Sequence, residues 1–123
     1  MLWNGITPVF CDISKHDFKI NPNEIEALIT SKTTAILLVH VYGNPCNNEK
    51  IQKIADKHGL KVIYDVAHAF AVGKNNESVL KWAYVTILSF HATKNFNTVE
   101  GGAIVTNDEK LTERIDNLKK FGL

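Results

Sequence analysis

The run Thr34-Ala35-Ile36-Leu37-Leu38-Val39-His40 constrains this chain more than any other feature. Its apolar residues follow one another with no polar residue between them. That suits a strand buried on both faces, and so a parallel sheet. Parallel neighbours need a crossover, usually a helix, and the rest of the sequence has that alternation. Residues 7–12 read as a short strand. Asn21 reads as a helix N-cap, Pro22 as the first helical residue and Glu24 as a first-turn acid, with Ile25, Leu28 and Ile29 at helical spacing. Asn47 or Asn48 caps a second helix with Ile51, Ile54 and Ala55 on one face, and Gly59 ends it behind His58. Strands follow at 60–64, closing on Asp65, at 84–90 and at 103–106. Asp108 opens a last helix carrying Leu111, Ile115 and Leu118. The expected fold class is α/β, a mostly parallel sheet flanked by helices.

Composition narrows the class. The chain has 123 residues, 45% hydrophobic and 22% charged, which describes one ordinary globular domain and excludes a disordered or collagen-like chain. Fourteen basic against 13 acidic residues give a net charge of +1, so no basic stripe points to nucleic acid. Cys11 and Cys46 form no CxxC pair and make no disulfide framework. No apolar stretch reaches membrane-span length. Met1-Leu2-Trp3-Asn4-Gly5 lacks the basic and apolar regions of a signal peptide, so a cytoplasmic protein is expected.

In an open α/β sheet, ligands bind outside the carboxyl ends of the strands. That rule selects His40, Asp65 with His68 behind it, and Ser89 with His91 and Lys94 behind it. Each has a plain structural reading. Asp65 can cap the segment after it. His40 and His68 can be packing residues satisfied by backbone, and Lys94 a solvated lysine. As a group on one sheet edge they say more. The Gly101-Gly102 pair adds a turn that allows positive φ or a close backbone approach. Pyridoxal phosphate would use such a set: a lysine amine, a carboxylate for the pyridine nitrogen and donors for the phosphate. A metal hydrolase built from His40, Asp65, His68 and His91 is a competing reading, since imidazole and carboxylate suit zinc or iron. A Rossmann-type nucleotide site has no GxGxxG to support it.

Two segments carry a family resemblance. Tyr64-Asp65-Val66-Ala67-His68-Ala69-Phe70, and Ser89-Phe90-His91-Ala92-Thr93-Lys94 running into Asn97-Thr98-Val99-Glu100-Gly101-Gly102-Ala103, resemble the DegT/DnrJ/EryC1/StrS family. Val39-His40-Val41-Tyr42-Gly43-Asn44-Pro45 and Pro8-Val9-Phe10-Cys11-Asp12 are similar to further family segments, in the same order. The resemblance implies a PLP-dependent aminotransferase of the aspartate aminotransferase fold, acting mostly on nucleotide-linked keto-sugars. Lys94 looks like the lysine that carries the cofactor and shuttles the proton. Asp65 resembles the carboxylate on the pyridine nitrogen, His68 the residue beside the ring and its phenolic oxygen, and Ser89 the phosphate-contacting serine. Lys94 stands where a dehydratase branch of the family has histidine, which favours transamination. The implied partners are a keto-sugar nucleotide, an amino donor such as glutamate, and a second subunit in a homodimer. No metal is implied.

The sequence also departs from the family. Ala71 stands where members usually have glycine, and residues 79–84 lack a glycine common before the strand that leads to the lysine. Family members are also much longer. Residues 1–123 correspond to the central part of the PLP-binding large domain, without the N-terminal phosphate helix or the small C-terminal domain. The expected edge of strand 7–12 is then bare. Two functional expectations follow: the catalytic middle of a sugar aminotransferase, or a truncated fragment that folds or dimerises without turnover. A chain of this length is not expected to catalyse alone.

Overall fold

The computed structural model describes residues 1–120. Helix α1 is Pro22–Leu28, followed by strand β1 at Ala35–Val39, α2 at Asn48–His58 and β2 at Lys61–Asp65. A short hairpin pairs β3, Gly73–Lys74, with β4, Glu77–Ser78. Strands β5, Val85–Ser89, and β6, Gly102–Val105, precede α3, Glu109–Lys119. The main sheet runs β1-β2-β5-β6. Its first two pairings are parallel and the last is antiparallel. The expected mostly parallel α/β sheet is therefore present.

The helix ends form as local chemistry dictates. The Asn21 side chain accepts the Asn23 N–H at 3.1 Å, and Pro22 fills the first helical position where no N–H is needed. Asn47, rather than Asn48, caps α2 by accepting the Lys50 N–H at 3.2 Å. Gly59 closes that helix at φ 66°, a left-handed conformation that favours glycine. Asp108 accepts the Leu111 N–H at 3.0 Å and the Tyr84 hydroxyl at 2.9 Å. Thr106 donates to the Tyr84 carbonyl at 2.8 Å, so the start of β5 is tied to the end of β6.

Side chains alternate across the sheet. One face buries Ile36, Leu38, Val62, Tyr64 and Leu88 against Ile25 of α1, Ile51, Ile54 and Ala55 of α2, and Cys46, Val66 and Val79 from the loops. The opposite face carries Leu37, Ile87 and Ile104, which are 39%, 41% and 49% exposed. There Ile115 of α3 shares an open groove of about 420 Å³ with Ile87 and Ile104. The run 34–40 is thus covered on one face only, and its Leu37 is open.

The strand expected at residues 7–12 does not form. Among the described residues the nearest pairing is a single bridge, Ile13 to Ile20. Val9 and Phe10 are exposed. A strand needs a neighbour to satisfy its backbone groups, and among the described residues no strand lies beside this segment; of its carbonyls, that of Asp12 accepts the Asn21 N–H at 3.0 Å. The β3–β4 hairpin is an addition the sequence pattern did not indicate. Asn75 and Asn76 turn it at φ 54° and 62°, the two left-handed positions a tight type I′ turn requires.

Candidate active site

The carboxyl ends of β1, β2 and β5 lie side by side. Val39 is in register with Asp65, and Asp65 with Ile87, two residues before Ser89. Alternation along each strand puts Asp65 and Ser89 on the same face, the open one, while His40 belongs to the covered face. The sheet therefore divides the cluster read from the sequence.

His40 is fully buried and packs edge-on against Tyr64, with ring centroids 4.7 Å apart. Its Nδ1 accepts the Cys46 N–H at 3.1 Å, so the neutral ring carries its proton on Nε2. Burial holds its pKa down at about 4, helped by the nearby Lys19 charge and partly opposed by Asp65. His40 is thus a packing residue bonded to backbone through Nδ1, while its buried Nε2 has no hydrogen-bond partner among the described residues. It closes the loop between β1 and α2, where Cys46 Sγ also donates to the Val39 carbonyl at 3.3 Å. Lys19 Nζ donates to the Pro45 carbonyl at 3.0 Å and pairs with Asp17 at 2.8 Å.

Asp65 is half-buried. Its Oδ1 accepts the Ala67 N–H at 2.9 Å, capping the turn that follows, and among the described residues no protein donor reaches Oδ2. Ser89 Oγ accepts the His91 N–H at 3.4 Å, which leaves its hydroxyl proton free to be donated. His68 and half-buried Lys94 line one open cleft of about 410 Å³ with Tyr42, Ala67, Phe70 and Thr93. The cleft brings Lys94 and His68 together. Asp65 and Ser89 stand at the strand ends beside it rather than in its lining.

The Lys94 loop is closed by backbone bonds. Phe90 and Ala92 donate to the carbonyls of Gly101 and Val99 at 2.8 and 2.7 Å, and Lys94 to that of His91 at 2.9 Å. The glycine pair is required here, as its sequence position suggested. A Cβ on Gly101, at φ 152°, would lie 2.7 Å from Thr98 Oγ1, and one on Gly102 would lie 2.8 Å from the Leu88 carbonyl. Three aromatic rings join this loop to the Asp65 loop. Phe70 stacks on Phe96 at 4.6 Å, and Phe90 meets both edge-on at 6.0 and 5.4 Å. Each is a lone aromatic flanked by polar or small residues, so neither helical nor strand spacing marks the three as a group.

The metal reading does not survive the geometry. Among the described residues, no three His, Cys, Asp or Glu side chains gather to hold an ion. His40 faces Tyr64, His68 faces Tyr42 and His91 bonds Thr93 at 3.0 Å. No helix among these residues is long and apolar enough to cross a membrane.

The chain is 52% identical over 122 residues to dTDP-4-amino-4,6-dideoxy-D-glucose transaminase of Shigella dysenteriae, covering 99% of this chain and 33% of that enzyme. A crystal structure of DesI in the presence of its TDP-sugar product superimposes with a TM-score of 0.93 at 39% identity, covering 99% of this chain and 31% of that one. NtdA from Bacillus subtilis, with bound cofactor PMP, superimposes with a TM-score of 0.88 at 36% identity over 94% of this chain and 26% of that one. The chain thus spans about a third of the length of the curated relatives it matches, and its sheet is part of the fold of PLP aminotransferases. The family model matched by residues 1–123 is the one those segments resemble, and the chain belongs to the DegT/DnrJ/EryC1/StrS aminotransferase family.

Proposed function

We propose that this chain is the cofactor-bearing middle of a PLP-dependent aminotransferase that acts on nucleotide-linked keto-sugars. The observation that carries the reading is the cleft where Lys94 and His68 meet, at the strand ends that present Asp65 and Ser89. The donor set fits the cofactor. A lysine amine and an imidazole line the cleft, a carboxylate beside it has one uncommitted oxygen, and a serine hydroxyl has a proton to donate.

In this reading pyridoxal phosphate, when bound, supplies an electron sink for the substrate carbon. Lys94 Nζ holds the cofactor and, once released, carries a proton to and from the reacting carbon. Asp65 Oδ2 would accept from the ring nitrogen and keep it protonated. Ser89 Oγ would donate to a phosphate oxygen, and His68 would serve the ring and its phenolic oxygen. Glutamate is the proposed amino donor, and a cytoplasmic homodimer the proposed assembly. The rest of the large domain and a small domain belong to the parts of the relatives that this chain does not span.

The second reading is a fragment that folds or dimerises without turnover. The unpaired segment 7–12 and the open sheet face favour it. One experiment separates the two. The matching third of the Shigella dysenteriae enzyme is replaced by this chain, and the chimera is reduced with borohydride in the presence of pyridoxal phosphate. Stable labelling at Lys94, lost in Lys94→Ala, and amino-group transfer from glutamate are expected. Labelling that persists in Lys94→Ala overturns the assignment of Lys94. The 123-residue chain is then assayed for the same transfer; turnover matching the chimera would remove the fragment reading.

A further inference from the structure

We propose that Tyr42 is a positioning residue, whose ring fixes the His68 imidazole at the mouth of the Lys94 cleft; this rests on the cofactor reading above. The two rings lie nearly parallel, 7° apart in plane with centroids 5.8 Å apart, an offset stack. Both line the cleft that holds Lys94.

Tyr42 is held there by a strained backbone. Its φ is 52° and ψ 31°, a left-handed conformation that costs energy for any residue with a Cβ. Packing does not explain the cost, because Tyr42 is 85% exposed. Strain kept at an exposed ring beside a candidate site is the pattern expected of a functional constraint. What maintains it is the closed loop beneath. Gly43 donates to the His40 carbonyl at 3.3 Å, Asn44 to that of Val41 at 2.9 Å, and Cys46 to the His40 ring. Lys19 anchors Pro45 from outside the loop. Gly43, at φ 78°, passes so close to the His68 backbone that a Cβ there would lie 3.4 Å from its carbonyl oxygen. The loop therefore meets the backbone of the residue whose ring its tyrosine stacks on.

His68 is exposed and lacks a hydrogen-bond partner among the described residues, so the stack is the contact that restricts its ring. An imidazole left to rotate would offer either nitrogen, or none, to a group in the cleft. Under the Tyr42 ring it is confined to one plane before anything binds.

The test uses the chimera described above. Histidine labelling at Cε1 reads the His68 ring in the cofactor-free protein, with its signal assigned by loss in His68→Gln. Cofactor uptake is followed by absorbance. Tyr42→Phe keeps the ring, and Tyr42→Gly removes it while suiting the left-handed backbone, so the loop is spared. The parent and Tyr42→Phe should show the His68 signal displaced upfield by the overlying ring. Tyr42→Gly should lose that displacement and take up pyridoxal phosphate roughly tenfold more weakly. A Tyr42→Gly protein with the parental His68 signal and parental cofactor affinity overturns the inference. A parent that takes up no cofactor overturns the cofactor reading and this inference with it.

Discussion

His40 shows how a residue at a ligand-binding edge can serve the scaffold instead. Its place at the end of β1 marked it as a candidate, yet its ring lies in the core with Nδ1 committed to the Cys46 N–H. That burial has a pH consequence. The folded ring resists protonation down to about 4, whereas its ordinary value is 6.5. Below 6.5 the unfolded chain takes up a proton that the folded chain refuses. The stabilising contribution is therefore complete above pH 6.5 and is lost progressively as the pH falls toward 4, by about 3 kcal/mol in all. Urea midpoints should fall steeply across that window. His40→Asn keeps an acceptor for the Cys46 N–H but cannot titrate, so its profile there should be flatter. An unchanged slope in His40→Asn would assign the acid sensitivity to other groups. Alternation in a strand assigns faces, and that separates His40 from Asp65 and Ser89. Which of the two faces is covered depends on where α1 and α2 pack, which a single strand does not reveal.

At the scale of elements, what was legible was what is local. The caps at Asn21, Asn47 and Asp108, and the left-handed Gly59, each follow from a few neighbouring residues, and each forms as read. The four core strands appear within a residue or two of their expected ends. Residues 7–12 have strand-like composition, but a strand is a relation between two segments, and among the described residues no strand pairs with this one. The Tyr42–His68 stack was hidden for a related reason: it joins two loops 26 residues apart, and the Tyr42 loop is tied by Lys19 and Cys46 rather than by its immediate neighbours. Ala71 is the intermediate case. It stands where the family usually has glycine, and its φ is 59°. Two reciprocal substitutions use this. Gly59 has open space around its Cβ position, so Gly59→Ala meets a backbone penalty alone and should lose about 1 kcal/mol. Ala71→Gly relieves the same penalty and should gain a similar amount, about 1 kcal/mol, read as opposite shifts of the urea midpoint. Shifts in the same direction would mean that side-chain packing, not φ, dominates at one of the two sites.

For the molecule as a whole, the sheet is finished on one face and open on the other. Leu37, Ile87 and Ile104 are partly exposed apolar residues on the open face, and β1 and β6 are edge strands among the described residues. Exposed apolar area of this kind, next to unpaired backbone, promotes association. The 123-residue chain should therefore self-associate with rising concentration in sedimentation velocity. Leu37→Lys with Ile104→Lys should shift the distribution toward monomer, because each lysine places a charge where a second apolar face would have to dock. In the full-length chimera the same pair should act in the opposite direction. If the remaining two thirds of the polypeptide cover this face, the lysines are buried there without partners, and stability falls by several kcal/mol. Solubility gained in the short chain and stability lost in the long one would together identify the face as interior surface. Equal tolerance in both would show that these residues stay in contact with water even in the full-length chimera.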